Sequence, residues 1–371
     1  MADDNRHMYE MEYPVPAISS EGSQGESSAP GEPTGPMMVV AMQGYADAGH
    51  AVESAAMHLK AALENKQVAT FNTDELIDYR SRRPAVMMDN DELTHFEELD
   101  LDIRVLRDTK GKSFLLLSGP EPDLRWNAFS EAVGDLAEKF DVSRTICLYG
   151  APMAVPHTRP LMVSAHGNDE AVISRMFTIN SKWNVPGAAQ LMIERELLKR
   201  GRKVSGFTAH VPHYMAQSPY PEATYQLLQS VSDSADLELP LKSLEHDITR
   251  VARQLTEQVS GSEEIMHVVT QLEQHYDTEL EKYRKHHPDV LMPGEAQVPS
   301  SEEIGQAFEN YLSALDDRDA PRNELPEAPP LFHFGDTSLF DDVKNSSGVD
   351  PDVQDAHPSA EDDDHDLGDD V

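Results

Sequence analysis

Four short segments combine glycine or proline with charged and aromatic side chains. They are GYADAGH (44–50), DYRSRRP (78–84), GPEPDLRW (119–126) and PHTRP (156–160). Arg80, Arg82, Arg83, Arg125 and Arg159 are conspicuous here, because the chain as a whole carries a net charge of −37. Guanidinium groups converging on one pocket would clamp a phosphate or carboxylate in bidentate fashion. The competing reading pairs them with neighbouring carboxylates such as Asp78, Glu121 or Asp123 at a surface or subunit contact. GYADAGH has glycines but matches neither GxGxxG nor GxxxxGK followed by Ser or Thr, so it gives little support to a nucleotide site. Its structural reading is a tight turn at Gly44 with Asp47 capping the helix that follows.

His210 and His213, in HVPHY, are three residues apart, with His157 and His166 as further imidazoles. Pro212 makes the segment a strand end, not a ligand-bearing helix. Zinc would have to rely on histidine and carboxylate alone, since Cys147 is the single cysteine. No metal or other cofactor is therefore assigned. A GxSxG elbow is missing, and Cys147 lies inside an apolar strand where a thiol is inert packing, so no catalytic residue is assigned. The candidate set for ligand or interface binding is Asp47, Arg80, Arg83, Asp123, Arg125, His157, Arg159 and His213.

These residues need a scaffold, and the hydrophobic pattern supplies one. MMVVAM (37–42), SFLLLSG (113–119), TICLYG (145–150), LMVSAHG (161–167) and VSGFTAHV (204–211) are apolar runs of the kind that form strands buried on both faces. VATF (68–71) is a further strand, and 84–98 reads as a hairpin turning at Asp89-Asn90-Asp91. Between them, Val52 to Leu63 and Phe129 to Phe140 repeat at helical spacing. A helix from 188 to 200 stops at Gly201, and Pro221 suits the first position of another. Alternation of this kind predicts a mostly parallel sheet with helices on both faces. The four loops then fall where strands end, which is where ligands bind in open α/β sheets.

Beyond Leu237 the strands stop. Two near-heptad stripes, Leu241 to Val259 and Ile265 to Tyr283, are separated by Ser260-Gly261-Ser262 and predict a helical hairpin. Its stripe either packs on the sheet domain or meets a partner. A last helix over 301–313 follows, and after Leu315 the composition turns to Asp, Pro and Glu. Residues 316–371 hold 18 acidic and 3 basic residues. Four regions result: an edge strand and flexible linker (1–36), an α/β core (37–236), a helical extension (237–315) and an acidic disordered tail (316–371). Apolar islands in that tail, LFHF (331–334) and SLF (338–340), suit short partner-binding motifs. The strong negative charge disfavours nucleic acid and anionic lipid. Runs such as Phe114–Leu117 are far too short to cross ~30 Å of hydrocarbon. With no signal-peptide pattern at MADDNRHMYE and no disulfide possible, the expected location is the cytoplasm.

GYADAGH, DELIDYRSRRP (74–84), GPEPDLRW, PMAVPHTRP (152–160) and HVPHYMAQSPYP (210–221), in this order, resemble the actinobacterial branch of the proteasome assembly chaperone 2 family. The resemblance runs from about Met8 through the helical hairpin. It implies a three-layer α/β/α fold related to purine nucleoside phosphorylases and hydrolases. It also implies self-association and, for archaeal and eukaryotic relatives, binding to proteasome α subunits or assembled core particles; the partners expected here are proteasome subunits or their associated ATPase. Relatives that dock through their last residues use a hydrophobic-Tyr-any tripeptide. Asp369-Asp370-Val371 lacks that tyrosine, so contact is expected through the folded domain. A non-enzymatic, chaperone-like interaction protein is the leading expectation. The alternative is a small-molecule binder or enzyme with a phosphorylase/hydrolase-like pocket at the strand-end loops.

Overall fold

The computed structural model describes residues 8–14, 18, 33–179, 181–182, 184–287 and 290. The helix expected at 301–313 and the acidic tail lie outside the described residues. The chain forms strands β1 (Tyr9–Met11), β2 (Met38–Gln43), β3 (Asn65–Phe71), β4 (Val86–Asp89), β5 (Glu92–Phe96), β6 (Asp102–Arg107), β7 (Ser113–Pro120), β8 (Thr145–Met153), β9 (Val163–Gly167) and β10 (Val204–Pro212). Interleaved with them are α1 (Ala51–Ala62), α2 (Thr73–Leu76), α3 (Trp126–Lys139), α4 (Glu170–Ile173), α5 (Ala189–Lys199), α6 (Pro221–Ala235), α7 (Lys242–Ser260) and α8 (Glu263–His286).

Eight strands form one sheet in the order β1-β3-β6-β7-β2-β8-β10-β9, and β4 and β5 pair separately. The centre, β7-β2-β8-β10, is parallel. β3 shares that direction, while β1, β6 and β9 run against it. Five of the eight strands thus point one way. The central strands are apolar along almost their whole length because helices cover both faces, so neither side of the pleat meets water. Successive residues of β2 divide between the two cores. Val39 and Ala41 face α1, α6 and Leu255 of α7, whereas Met38, Val40 and Met42 face α3 and α5. This is the expected three-layer α/β/α arrangement.

β6 was not expected, because Asp102, Arg104 and Arg107 interrupt its apolar pattern. Asp102 is nonetheless buried, its charge answered by Arg104 Nη2 at 2.7 Å. Leu101, Ile103 and Val105 supply the buried face. The helical hairpin forms as expected, with the Ser262 hydroxyl accepting from the Ile265 amide at 3.4 Å. Gly261 ends α7 in a right-handed conformation (φ −81°), so this turn does not use glycine's left-handed freedom. Leu255 of α7 and Val269 and Tyr276 of α8 are buried, which answers where much of the apolar stripe goes. Ile265, Met266 and Val268, near the turn, remain 46% exposed.

Candidate functional site

Because β2, β7, β8 and β10 are parallel, the loops that leave them gather along one edge of the sheet. The first is fastened by two carboxylates. Asp47 Oδ1 and Oδ2 accept from the amides of Val52 (2.7 Å) and Glu53 (3.1 Å), capping α1 across the tight turn at 48–50. Burial pushes the Asp47 carboxyl up to about 6, against the downward pull of those two amides and of His50. Glu121, buried in GPEPDLRW, accepts from the amide of Tyr45 (3.1 Å) and from that of Ala189 (2.6 Å), the first residue of α5. Gly44 makes room for it: a Cβ there would lie 2.6 Å from the Cβ of Glu121. Glu121 therefore joins three chain segments through one side chain. From residue type alone Glu121 reads as a partner for arginine, whereas its carboxylate serves backbone amides.

The second loop is tied to the third. Asp123 accepts from the Asp78 amide (2.9 Å) and faces Arg82 at 3.6 Å, while Arg125 pairs with Glu75. The guanidinium groups of Arg80 and Arg83 make no ion pair among the described residues. Arg80 and Arg83 are exposed beside Tyr79, which is 40% accessible.

The fourth loop belongs to α8. Arg159 grips Asp277 through Nε and Nη2, both at 2.9 Å, and reaches Glu273 at 3.2 Å. Thr158 also donates to Glu273, and the Tyr276 hydroxyl donates to the Pro160 carbonyl at 2.7 Å. Glu273 and Asp277 sit four residues apart on one helical face, a spacing that presents both carboxylates to one guanidinium. His157 Nδ1 is 2.7 Å from the Tyr214 hydroxyl, and burial lowers its pKa. His213 packs edge-on to the same tyrosine, with ring centroids 5.3 Å apart. His210 instead points inward, 5% exposed, with Nε2 2.9 Å from the Ser164 hydroxyl. Burial drives His210 down to about 4, which makes it a neutral core histidine at physiological pH.

Seven of the eight candidate residues thus fall into two groups, while Asp47 stays with the first loop as the cap of α1. Arg80, Arg83, Asp123 and Arg125 belong to the 75–84 and 119–126 loops, and His157, Arg159 and His213 belong to the 156–160 loop and the end of β10. Asp123 is engaged within the first group, whereas Arg159 is engaged with α8 and His157 with Tyr214. Arg159 borders a slit too narrow for water, together with His210, Tyr220 and Tyr276. A cleft of about 250 Å³ lies farther along α8, between Met162, Phe177, Thr178, Leu280 and Tyr283, and none of the eight candidates lines it. No cluster of three or more metal-ligating side chains occurs among the described residues.

The PAC2 family model matches residues 41–259, which take in the sheet from the end of β2 onward, the strand-end loops and nearly all of α7. This chain belongs to the PAC2 family. A solved Corynebacterium glutamicum protein of unknown function is 55% identical, with a TM-score of 0.69, covering 75% of this chain and all of its own length. A Mycobacterium tuberculosis protein of unknown function is 43% identical over 76% of this chain and 92% of its own, also with a TM-score of 0.69. A second M. tuberculosis structure, described as a proteasome-assembly chaperone homologue, is 27% identical over 63% of this chain and all of its own, with a TM-score of 0.58. No curated protein matches. PAC2 membership accounts for the α/β/α core. Among the described residues, no helix is long and apolar enough to cross a membrane.

Proposed function

We propose that this PAC2 protein is a non-enzymatic, chaperone-like interaction protein that self-associates and binds proteasome subunits or their associated ATPase in the cytoplasm. The observation that carries this reading is the β4–β5 hairpin. Val86, Met87, Met88, Leu93 and Phe96 are 45%, 61%, 64%, 58% and 56% exposed. A lone two-stranded ribbon is marginal in water. Apolar side chains on both of its faces are costly to leave wet, and a contiguous patch of this kind marks a protein contact. Met and Phe are also residue types enriched at the centres of interfaces. The strand-end loops favour the same reading, because Arg159 and Arg125 are taken up by intramolecular carboxylates, Asp123 faces Arg82, and these pairs hold the loops in place. The M. tuberculosis relative described as a proteasome-assembly chaperone homologue suggests the class of partner.

The test is affinity capture of the full chain from its native host, beside a Met87→Lys/Phe96→Lys variant. Proteasome subunits or their ATPase should be recovered near stoichiometry with the wild type and lost with the variant. Their absence from the wild-type capture would sink the partner assignment.

A further inference from the structure

A second polar cluster joins β8, β9 and α5. Glu194 of α5 is 4% exposed, yet both its oxygens are engaged. Oε1 accepts from the Tyr149 hydroxyl at 2.6 Å, and Oε2 lies 3.0 Å from Nε2 of His166 on β9. The space is shaped for this pair. Gly206 of β10 lies directly beneath, and a Cβ there would meet the His166 ring and approach Glu194 Oε1 to 2.7 Å. The His166 side chain keeps 47% of its surface accessible, so the ring can exchange its proton with water while its partner stays buried.

β9 is the last strand of the sheet, with β10 as its only strand neighbour among the described residues. It also carries the next segment: the Ala165 amide donates to the Phe177 carbonyl at 2.8 Å. Phe177 packs on Tyr283 of α8, with ring centroids 4.2 Å apart, and the Thr178 amide donates to the Tyr283 hydroxyl at 3.0 Å. A continuous set of contacts therefore runs from Glu194 through His166, β9 and Phe177 to the far end of α8.

We propose that His166 is a proton-controlled latch: charged, it ties β9 to Glu194 and keeps the 177–178 segment seated against α8; neutral, it releases that edge. The reason is charge balance. A buried carboxylate facing an imidazolium is compensated, whereas the same carboxylate facing a neutral ring keeps only hydrogen bonds. Of the described groups around His166, α5 contributes Glu194, β8 contributes Tyr149 and β10 contributes Gly206, with Cys147 of β8 next to Tyr149 and Glu194. Burial holds both the phenol and the thiol far above their ordinary values, so both stay neutral. For His166 itself, burial works against the charged form, but the hydrogen bond and charge of Glu194 outweigh it and raise its pKa. His166 then binds its proton more tightly folded than unfolded. The tie is complete below about pH 6.5 and fades as pH rises through the folded value.

The experiment is hydrogen exchange on the full chain from pH 5.5 to 8.5, corrected for intrinsic rates and read at 163–167 and 176–178, for wild type and Glu194→Gln. Wild-type protection should drop as pH rises, about tenfold for each pH unit separating the folded value from the ordinary one. Glu194→Gln should show no such step. Flat wild-type protection, or an unchanged step in Glu194→Gln, would overturn the proposal. Should Glu194→Gln fail to fold, an NMR titration of the wild-type His166 ring decides: a value above the ordinary range supports the latch, and one at or below it refutes the latch. None of these readings involves a partner protein, so they stand apart from the interaction test.

Discussion

Replacing His210 with glutamine isolates one term in the pH dependence of stability. His210 is 5% exposed and its pKa falls from 6.5 to about 4 through loss of solvation. The unfolded chain takes up this proton near pH 6.5, whereas the folded chain resists until about pH 4. Between those values the unfolded state binds more protons, so stability is full above pH 6.5 and is lost as pH falls. At 1.36 kcal/mol per unit, the whole term is worth about 3 kcal/mol. Asp47 acts in the opposite sense: its carboxyl is raised to about 6, so ionising it costs stability as pH rises from about 4 to 6. The wild-type profile is therefore flatter than either term alone. Urea unfolding followed by circular dichroism, on wild type and His210→Gln at pH 4, 5.5 and 7, separates them. The stability difference between the two proteins should change by about 3 kcal/mol across that range, with wild type gaining as pH rises. A pH-independent difference, or one of opposite sign, would refute the assignment of His210 as a buried neutral imidazole.

Three further expectations follow from the contacts above. Gly44→Ala would drive a methyl into Glu121 and displace a carboxylate that serves two backbone amides. A loss of about 3 kcal/mol is expected by denaturant titration, against little change for an alanine at the exposed Gln258. Tyr276→Phe removes the bond to the Pro160 carbonyl and should lower α8 protection in hydrogen exchange by about 1 kcal/mol, leaving the sheet unaffected. Arg159→Ala should cost less than about 1 kcal/mol, since Asp277 is 53% exposed, and its effect should shrink in high salt.

What the sequence made legible depended on how far apart the cooperating residues lie. The cap from Asp47 to Val52 and Glu53 is local, so residue types alone indicate it. The hairpin at 84–98 was equally visible, because its turn residues and strands are contiguous. Glu121 was not, since its two amide partners lie 76 and 68 positions away. For Arg159 the sequence left an anion clamp and a neighbouring carboxylate both open, and its actual partners, Glu273 and Asp277, lie more than a hundred residues downstream. The reversed direction of β9 was also hidden, because an apolar run reads the same in either orientation. β6 failed for a different reason: its buried Asp102 looks like a strand breaker until Arg104 is seen to neutralise it. Nothing in the residue types joined His166 to Glu194, which meet only because β9 and α5 pack together across Gly206.

The central claim is that the exposed β4–β5 hairpin is an interaction surface, and sedimentation of the purified full chain tests it most directly. Both hairpin substitutions lie at exposed positions, so Met87→Lys/Phe96→Lys should leave the unfolding midpoint almost unchanged. The wild type should sediment as an oligomer at micromolar concentration, and the double variant as a monomer. A monomeric wild type, or an oligomer unaffected by the two lysines, would contradict the claim.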